Sequence, residues 1–296
     1  MLNTLIKPVI LRHIFSYITN NFNEAIRLSH VNLAFEDTIM NYSHVMWNNV
    51  FQCEMYDLEK IFDNVGLATK FCYVLYKMNI INIQNECKKT ALIYAIHEGY
   101  VECLVLLCNN NEIDVNIKIL YGDTILIWFS REGNKKFVEF LLKHDKIDVN
   151  IQNNGGDTAL ILAAHGGYKE CVKLLLNHPN INVNVQDKNG NTALICAMRK
   201  GYKECVELLL KHPNINVNIQ NNKGNTALIS VTNFGCIKCA KLLLNHPNIN
   251  VNVQDKNGNT ALILAKIKRN KECIELLLKH NKIDVNIQNI CGKTSF

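Results

Sequence analysis

The sequence predicts an all-α solenoid: short helix–turn–helix units stacked in a row behind a small helical domain. Threonine recurs at positions 90, 124, 158, 192, 226, 260 and 294, an unbroken step of 34 residues. A fixed period of this size means stacked supersecondary units rather than one globular core. Within each period, apolar residues fall at helical spacing in two short runs. Glycine and a Pro- or Asn-bearing stretch punctuate those runs at constant places. One such unit cannot bury both helices alone, so stability must come from its neighbours.

Residues 1–52 read as a separate helical domain. Residues 1–80 hold 12 of the 23 aromatics and no repeated unit. Residues 1–60 carry a net charge of −2 in a chain whose total is +6, so the remainder is basic. Ile6, Ile10, Leu11, Ile14, Phe15 and Ile18 share one helical face. A second segment runs Ala25, Ile26, Leu28, Val31 and Phe35, and Trp47 closes the region. The stretch Ile10-Leu11-Arg12-His13-Ile14-Phe15-Ser16-Tyr17-Ile18, then Arg27 to Val31, then Phe35 and Trp47, resembles the F-box over residues 6–50. That three-helix module docks on the adaptor subunit of SCF ubiquitin ligases. The resemblance implies that Ile14, Phe15, Leu28, Val31 and Trp47 contact such an adaptor. Pro8 stands one place late and Val9 replaces the usual acidic residue. The alternative is a plain cap, whose same side chains would be buried against the first repeat.

Residues 53–85 form a degenerate unit or N-terminal cap. Phe71 to Met78 followed by Ile80 to Asn85 matches the second helix and arm of a worn repeat, so no flexible linker is expected.

Residues 86–296 hold six full repeats and the start of a seventh. In the unit 192–225, Gly190 and Asn191 make a turn and Thr192 is placed to cap a helix. Leu194, Ile195, Ala197 and Met198 give a short inner helix, which Gly201 ends by taking positive φ. Cys205, Val206, Leu208, Leu209 and Leu210 line an outer helix, which stops at His212-Pro213. Ile215, Val217 and Ile219 alternate with Asn216, Asn218 and Gln220, an extended arm. The elements G-N-T-A-L, a following Ala and Gly, V-x-L-L-L and V-N resemble the ankyrin repeat. The resemblance implies a solenoid with short hairpin arms, and no cofactor. Thr-Ala-Leu-Ile replaces the usual Thr-Pro-Leu-His, and His-Pro-Asn-Ile replaces Gly-Ala after the outer helix. Arg269 occupies the slot of Gly99, Gly133, Gly167, Gly201 and Gly235, so strain or a shift is expected there. Fraying is expected near Phe296.

Composition narrows the function classes. The chain has 296 residues, 48% hydrophobic and 20% charged, which is a folded protein and not a disordered one. No apolar run reaches 18 residues, so no membrane span is expected, and residues 1–15 lack a secretory cleavage pattern. Cys103, Cys171, Cys205, Cys239 and Cys273 share one slot of the period, a packing column of free thiols. This points to a reducing, cytoplasmic compartment.

Candidate chemistry resolves into packing and capping. Cys236-Ile-Lys-Cys239 lacks the second ligand pair that zinc needs and Cys239 belongs to the packing column, so neither a metal nor a redox site is expected there. His144, His178, His212, His246 and His280 end the outer helices, where they can bond free carbonyls. Lys169, Lys203, Lys238 and Lys271 are interleaved with Glu170, Glu204 and Glu272, a solvated mixed face and not a nucleic-acid surface. No nucleotide-binding, zinc-protease or hydrolase signature occurs, so no enzymatic activity is expected.

What varies between repeats is the surface that partners would meet. In the ankyrin family the slot four residues after each Thr faces a binding groove. Here it reads Tyr94, Trp128, Leu162, Cys196, Ser230 and Leu264. The slot seven after reads His97, Arg131, His165, Arg199, Asn233 and Ile267. Tyr, Trp and Arg commonly anchor interfaces. The candidate groove is therefore Tyr94, His97, Lys118, Tyr121, Trp128, Arg131, His165 and Arg199. The sequence thus predicts a non-catalytic adaptor that recruits an unknown target protein to an SCF-type ligase. The alternative is an ankyrin scaffold with no ubiquitin link. The Asn-rich repeats are similar to those of ankyrin proteins of giant viruses that infect amoebae, which implies a host protein as target and the host cytoplasm as location.

Overall fold

In the computed structural model of the protein the described residues are Cys108 and 114–294. The expectations for residues 1–52 and 53–85, and for Tyr94 and His97, lie outside them.

The described residues form ten α-helices in five pairs and, as predicted, an all-α stack. The first pair is α1 (Ile125–Arg131) and α2 (Lys135–Leu141), followed by α3 (Ala159–Gly166) and α4 (Lys169–Leu176). Next come α5 (Ala193–Lys200) and α6 (Lys203–Leu210), then α7 (Ala227–Phe234) and α8 (Ile237–Leu244). The last pair is α9 (Ala261–Ile267) and α10 (Lys271–Leu278). Inner helices pack on inner helices of adjacent units and outer helices on outer ones.

The period in the sequence is a period of helix ends. Thr124, Thr158, Thr192, Thr226 and Thr260 each sit in extended conformation, and each hydroxyl accepts the N–H of the Ile three residues on, at 3.2–3.3 Å. These caps are almost fully buried, so a capping oxygen is the only partner those amides can find. At the other end Gly201 takes φ 74°. Arg269 takes φ 58° at the same place and α9 stops one residue earlier than α5. The expected strain is therefore a left-handed arginine.

The core is two rows of side chains. Leu126, Leu160, Leu194, Leu228 and Leu262 come from the inner helices, and Leu141, Leu175, Leu209, Leu243 and Leu277 from the outer ones. All are at most 1% exposed, and each such burial stabilises by about 2 kcal/mol. Ala163, Ala197 and Ala265 are also fully buried, small enough to let neighbouring inner helices approach.

The arms form no strand among the described residues. Between units, one backbone bond recurs at the tips, such as Lys188 N to Gly155 O and Asn222 N to Asn189 O, both 2.9 Å. Side chains complete the ladder. Asn184 Nδ2 donates to Asn214 O at 2.7 Å while its Oδ1 accepts Asn216 N at 2.9 Å, and Asn116, Asn150, Asn218 and Asn252 do the same. Gln186 Nε2 donates to Gly190 O and to Gln220 O, and Gln152, Gln220 and Gln254 follow suit. A primary amide has the donor and acceptor needed to bridge two units at once, which is why Asn and Gln recur here.

The histidine column differs from expectation. Nδ1 of His144, His178, His212, His246 and His280 accepts the backbone N–H two residues on, at 3.2–3.3 Å. On that side the ring closes the turn into the arm; it does not donate to the helix carbonyls.

Candidate partner-binding face

Each inner helix runs from a buried start to an open last turn, because the Thr cap faces the core and the αL turn faces out. The last-turn slots therefore show the residues that differ between units. Seven residues after Thr stand Arg131, His165, Arg199, Asn233 and Ile267, and one place further Glu132, Gly166, Lys200, Phe234 and Lys268. Phe234 is 60% and Ile267 53% exposed, large apolar groups with water on most of their surface. Arg199 reaches across to the next unit, its guanidinium 5.7 Å from the Phe234 ring centroid, within cation–π range.

The predicted groove residues fall into two sets. His165 and Arg199 are exposed and Trp128 is half-buried, all on inner helices. Tyr121 is 67% exposed with φ 61°, and its carbonyl accepts Asn154 N at 3.0 Å. Its backbone is thus fixed to the next unit while its ring faces out. Lys118 and Arg131 have structural partners instead. Lys118 holds the slot of Gln152, Gln186, Gln220 and Gln254, and its Nζ donates to Gln152 O at 2.8 Å. Arg131 Nη1 lies 2.5 Å from Oδ2 of the buried Asp123, an ion pair rather than an aligned hydrogen bond. Asp123 Oδ1 accepts Asn153 Nδ2 at 2.7 Å. The slot four after Thr is not uniformly open either. Leu162 and Leu264 are half-buried, whereas Cys196 and Ser230 are 4% and 2% exposed.

Electrostatics on this face are positive. Burial holds His165 below its ordinary pKa of 6.5, and Lys200 and Arg199 push the same way, against Asp157 and Asp187. Burial raises Asp157, with Asp187 adding, while the Asn153 hydrogen bond and Arg131 oppose. Arg199, Lys200, Lys268 and Arg269 are exposed at the inner-helix ends, and Lys188, Lys223 and Lys256 at the arm tips. Asp187 and Asp255 are occupied, each Oδ1 accepting two backbone amides of its own turn. The outer helices balance their charges, as in Lys203–Glu207 at 2.9 Å.

Phe234 was missed because the expected face stopped at the slot seven after Thr. The signal was present: a Phe where other units have Glu132, Gly166, Lys200 and Lys268. Among the described residues no cluster of three His, Cys, Asp or Glu could hold a metal, and no helix is long and apolar enough to cross a membrane.

No curated protein matches the chain. Among solved structures it is similar to EF0377, an ankyrin repeat protein, with TM-score 0.60 and 25% identity over 64% of this chain and 97% of that one. It shares its fold with the ankyrin repeat domain of Bcl-3, a member of the IkappaB family, with TM-score 0.63 and 23% identity over 70% of this chain and 92% of that one. A family model for ankyrin repeats matches three times, at residues 64–153, 146–221 and 213–289. The helix pairs, the buried Thr caps and these matches agree: the chain belongs to the ankyrin-repeat family, whose solenoids are scaffolds for protein–protein interaction.

Proposed function

We propose that the chain is a non-catalytic adaptor whose inner-helix ends hold a target protein. The observation that carries this reading is the contrast within each inner helix. Its Thr and Leu are buried and constant, while Arg131, His165, Arg199, Phe234 and Ile267 change chemistry from unit to unit at the open end. A fold needs the first set. Apart from Arg131, which pairs with Asp123, the second set is exposed to water, and an exposed aromatic flanked by arginine is the composition of an interface anchor. The cationic rim adds preference for an acidic partner surface and speeds encounter. Tyr121 and Trp128 extend the same surface; Lys118 and Arg131 serve it through the ladder and the Asp123 ion pair. Capture of partners by the full chain, compared with a Phe234→Ala, Arg199→Ala double variant, tests this. Loss of a saturable partner at unchanged fold is the expected result. A partner retained by the variant places the binding face elsewhere.

The finer reading assigns residues 1–52 to an SCF adaptor subunit, through Ile14, Phe15, Leu28, Val31 and Trp47. Its support is the F-box resemblance. The array would then raise the effective concentration of its target beside a ligase. The free thiol column fits a reducing, cytoplasmic location, and the repeat resemblance to giant-virus proteins suggests a host target. A pull-down against the SCF adaptor subunit and cullin separates the readings. Binding by the full chain, lost in Phe15→Ala, Leu28→Ala with the repeats still folded, supports recruitment. Absence of binding by a folded full chain leaves an ankyrin scaffold without a ubiquitin link.

A further inference from the structure

One unit differs from the rest at the start of its outer helix. The residue before that helix is Asn134, Tyr168, Tyr202, Cys236 or Asn270 in successive units, and three places on stands Phe137, Cys171, Cys205, Cys239 or Cys273. Asn134 and Asn270 cap their helices, accepting Phe137 N at 3.3 Å and Cys273 N at 3.1 Å. The rings of Tyr168 and Tyr202 lie against Gly133 and Gly167 of the preceding unit. Cys236 makes no cap bond to α8, and against Gly201 of the preceding unit it sets only a small side chain, its Sγ 3.9 Å from Gly201 O. Its closer contact is Cys239: the two sulfurs are 2.8 Å apart, inside van der Waals separation.

We infer that Cys236 and Cys239 are a dithiol site that closes to an intramolecular disulfide by exchange with a small-molecule disulfide of the glutathione type. The geometry supplies each requirement. Cys236 precedes the first turn of α8 and Cys239 is its third residue, so both lie on one face. Cys236 is half-buried and reachable, while Cys239 is buried behind it. Burial first, and then the Cys236 neighbour, push the Cys239 thiol up, and Cys236 is the one of the pair that solvent reaches, so Cys236 is the attacking group. Cys236 loses its proton to solvent and its thiolate attacks one sulfur of the small disulfide, releasing one thiolate. Cys239 then gives up its proton and displaces the second thiol from Cys236. Two thiols of the protein and one small disulfide become one protein disulfide and two small thiols.

The sequence makes the test direct, because Lys238 lies between the cysteines. The full chain bearing Cys291→Ser, which removes an exposed thiol, is equilibrated with oxidised and reduced glutathione at graded ratios. It is then quenched, alkylated and cut with trypsin. The expected product is the peptide ending at Lys238 joined to the tripeptide Cys239–Lys241, both unalkylated. Its yield rises with the oxidised fraction. Cys239→Ser should trap a glutathione adduct on Cys236 that the unsubstituted pair resolves, and circular dichroism checks that this variant is folded. Recovery of both cysteines alkylated at every ratio overturns the proposal. So does a persistent Cys236 adduct beside an alkylatable Cys239.

Discussion

Units 192–225 and 260–293 carry nearly the same outer helix, KECVELLL in α6 and KECIELLL in α10, yet they bury it differently. Val206 is fully buried while Ile274 is half-exposed. Leu210 is half-buried while Leu278 is 40% exposed. Leu209 and Leu277 are covered alike, as are Cys205 and Cys273. Unit 192–225 has described neighbours on both sides, and unit 260–293 has one on a single side. Burial in this fold is thus a property of neighbours as much as of residues, as expected when stability is a sum of unit and interface terms.

The largest expected effect that probes this comparison is a cavity in the row covered in both units. Leu209→Ala should cost about 3 kcal/mol of unfolding free energy. Leu278→Ala, at the half-open position, should cost under about 1 kcal/mol because water already reaches the side chain. Denaturant titration of the two variants gives the ratio. Equal losses would mean that α10 is covered by something the comparison leaves out.

The next effect breaks the link between units without touching a helix. Asn218→Ala removes the bonds to Asn248 O and from Asn250 N. About 1–2 kcal/mol should be lost, since each net hydrogen bond is worth about 1 kcal/mol. Hydrogen exchange should speed first in the arm residues 248–252. An unchanged pattern would mean that the amide ladder follows the packing and does not support it.

A smaller effect has the opposite sign. Arg269→Gly should stabilise by about 1 kcal/mol, relieving a left-handed arginine. Gly201→Ala, at φ 74°, should destabilise by a similar amount. If Arg269→Gly gains nothing, the strain is already absorbed by the earlier end of α9.

The smallest effect is a pH dependence on the open face. His165 is held below 6.5, so the fold disfavours its protonated form. No penalty exists well above pH 6.5. It grows as pH falls through 6.5 toward the lowered value and is constant below that. His165→Gln should remove this acid-side loss, read as a flatter plot of midpoint against pH. An unaltered slope would assign the loss to other groups.

The period was legible because it marks physical events that the backbone cannot avoid. A helix start needs an acceptor and a helix end tolerates positive φ, so Thr and Gly had to recur wherever units recur. Arg269 was visible as a departure for the same reason. The arms were less legible. Alternating Ile, Asn and Val read as an extended arm, but the bridging of the Asn184 and Gln186 amides to the next unit depends on what that unit places opposite them. The histidines misled likewise, since only coordinates reveal which ring nitrogen accepts. On the candidate face, Tyr121, His165 and Arg199 are exposed, whereas the demands on Lys118 and Arg131 come from residues 34 positions later and 8 earlier.

By itself the sequence determined the unit: its length, its two helices, its caps and the rows that must be buried. These follow from local hydrogen-bond needs and from apolar spacing, which each repeat states in its own residues. The tertiary structure alone decided which residues are left over. Cys196 and Ser230 were covered, Phe234 and Ile267 were left open, and the sulfurs of Cys236 and Cys239 were set side by side. Those outcomes depend on what the next unit places opposite each side chain, and no single repeat encodes that.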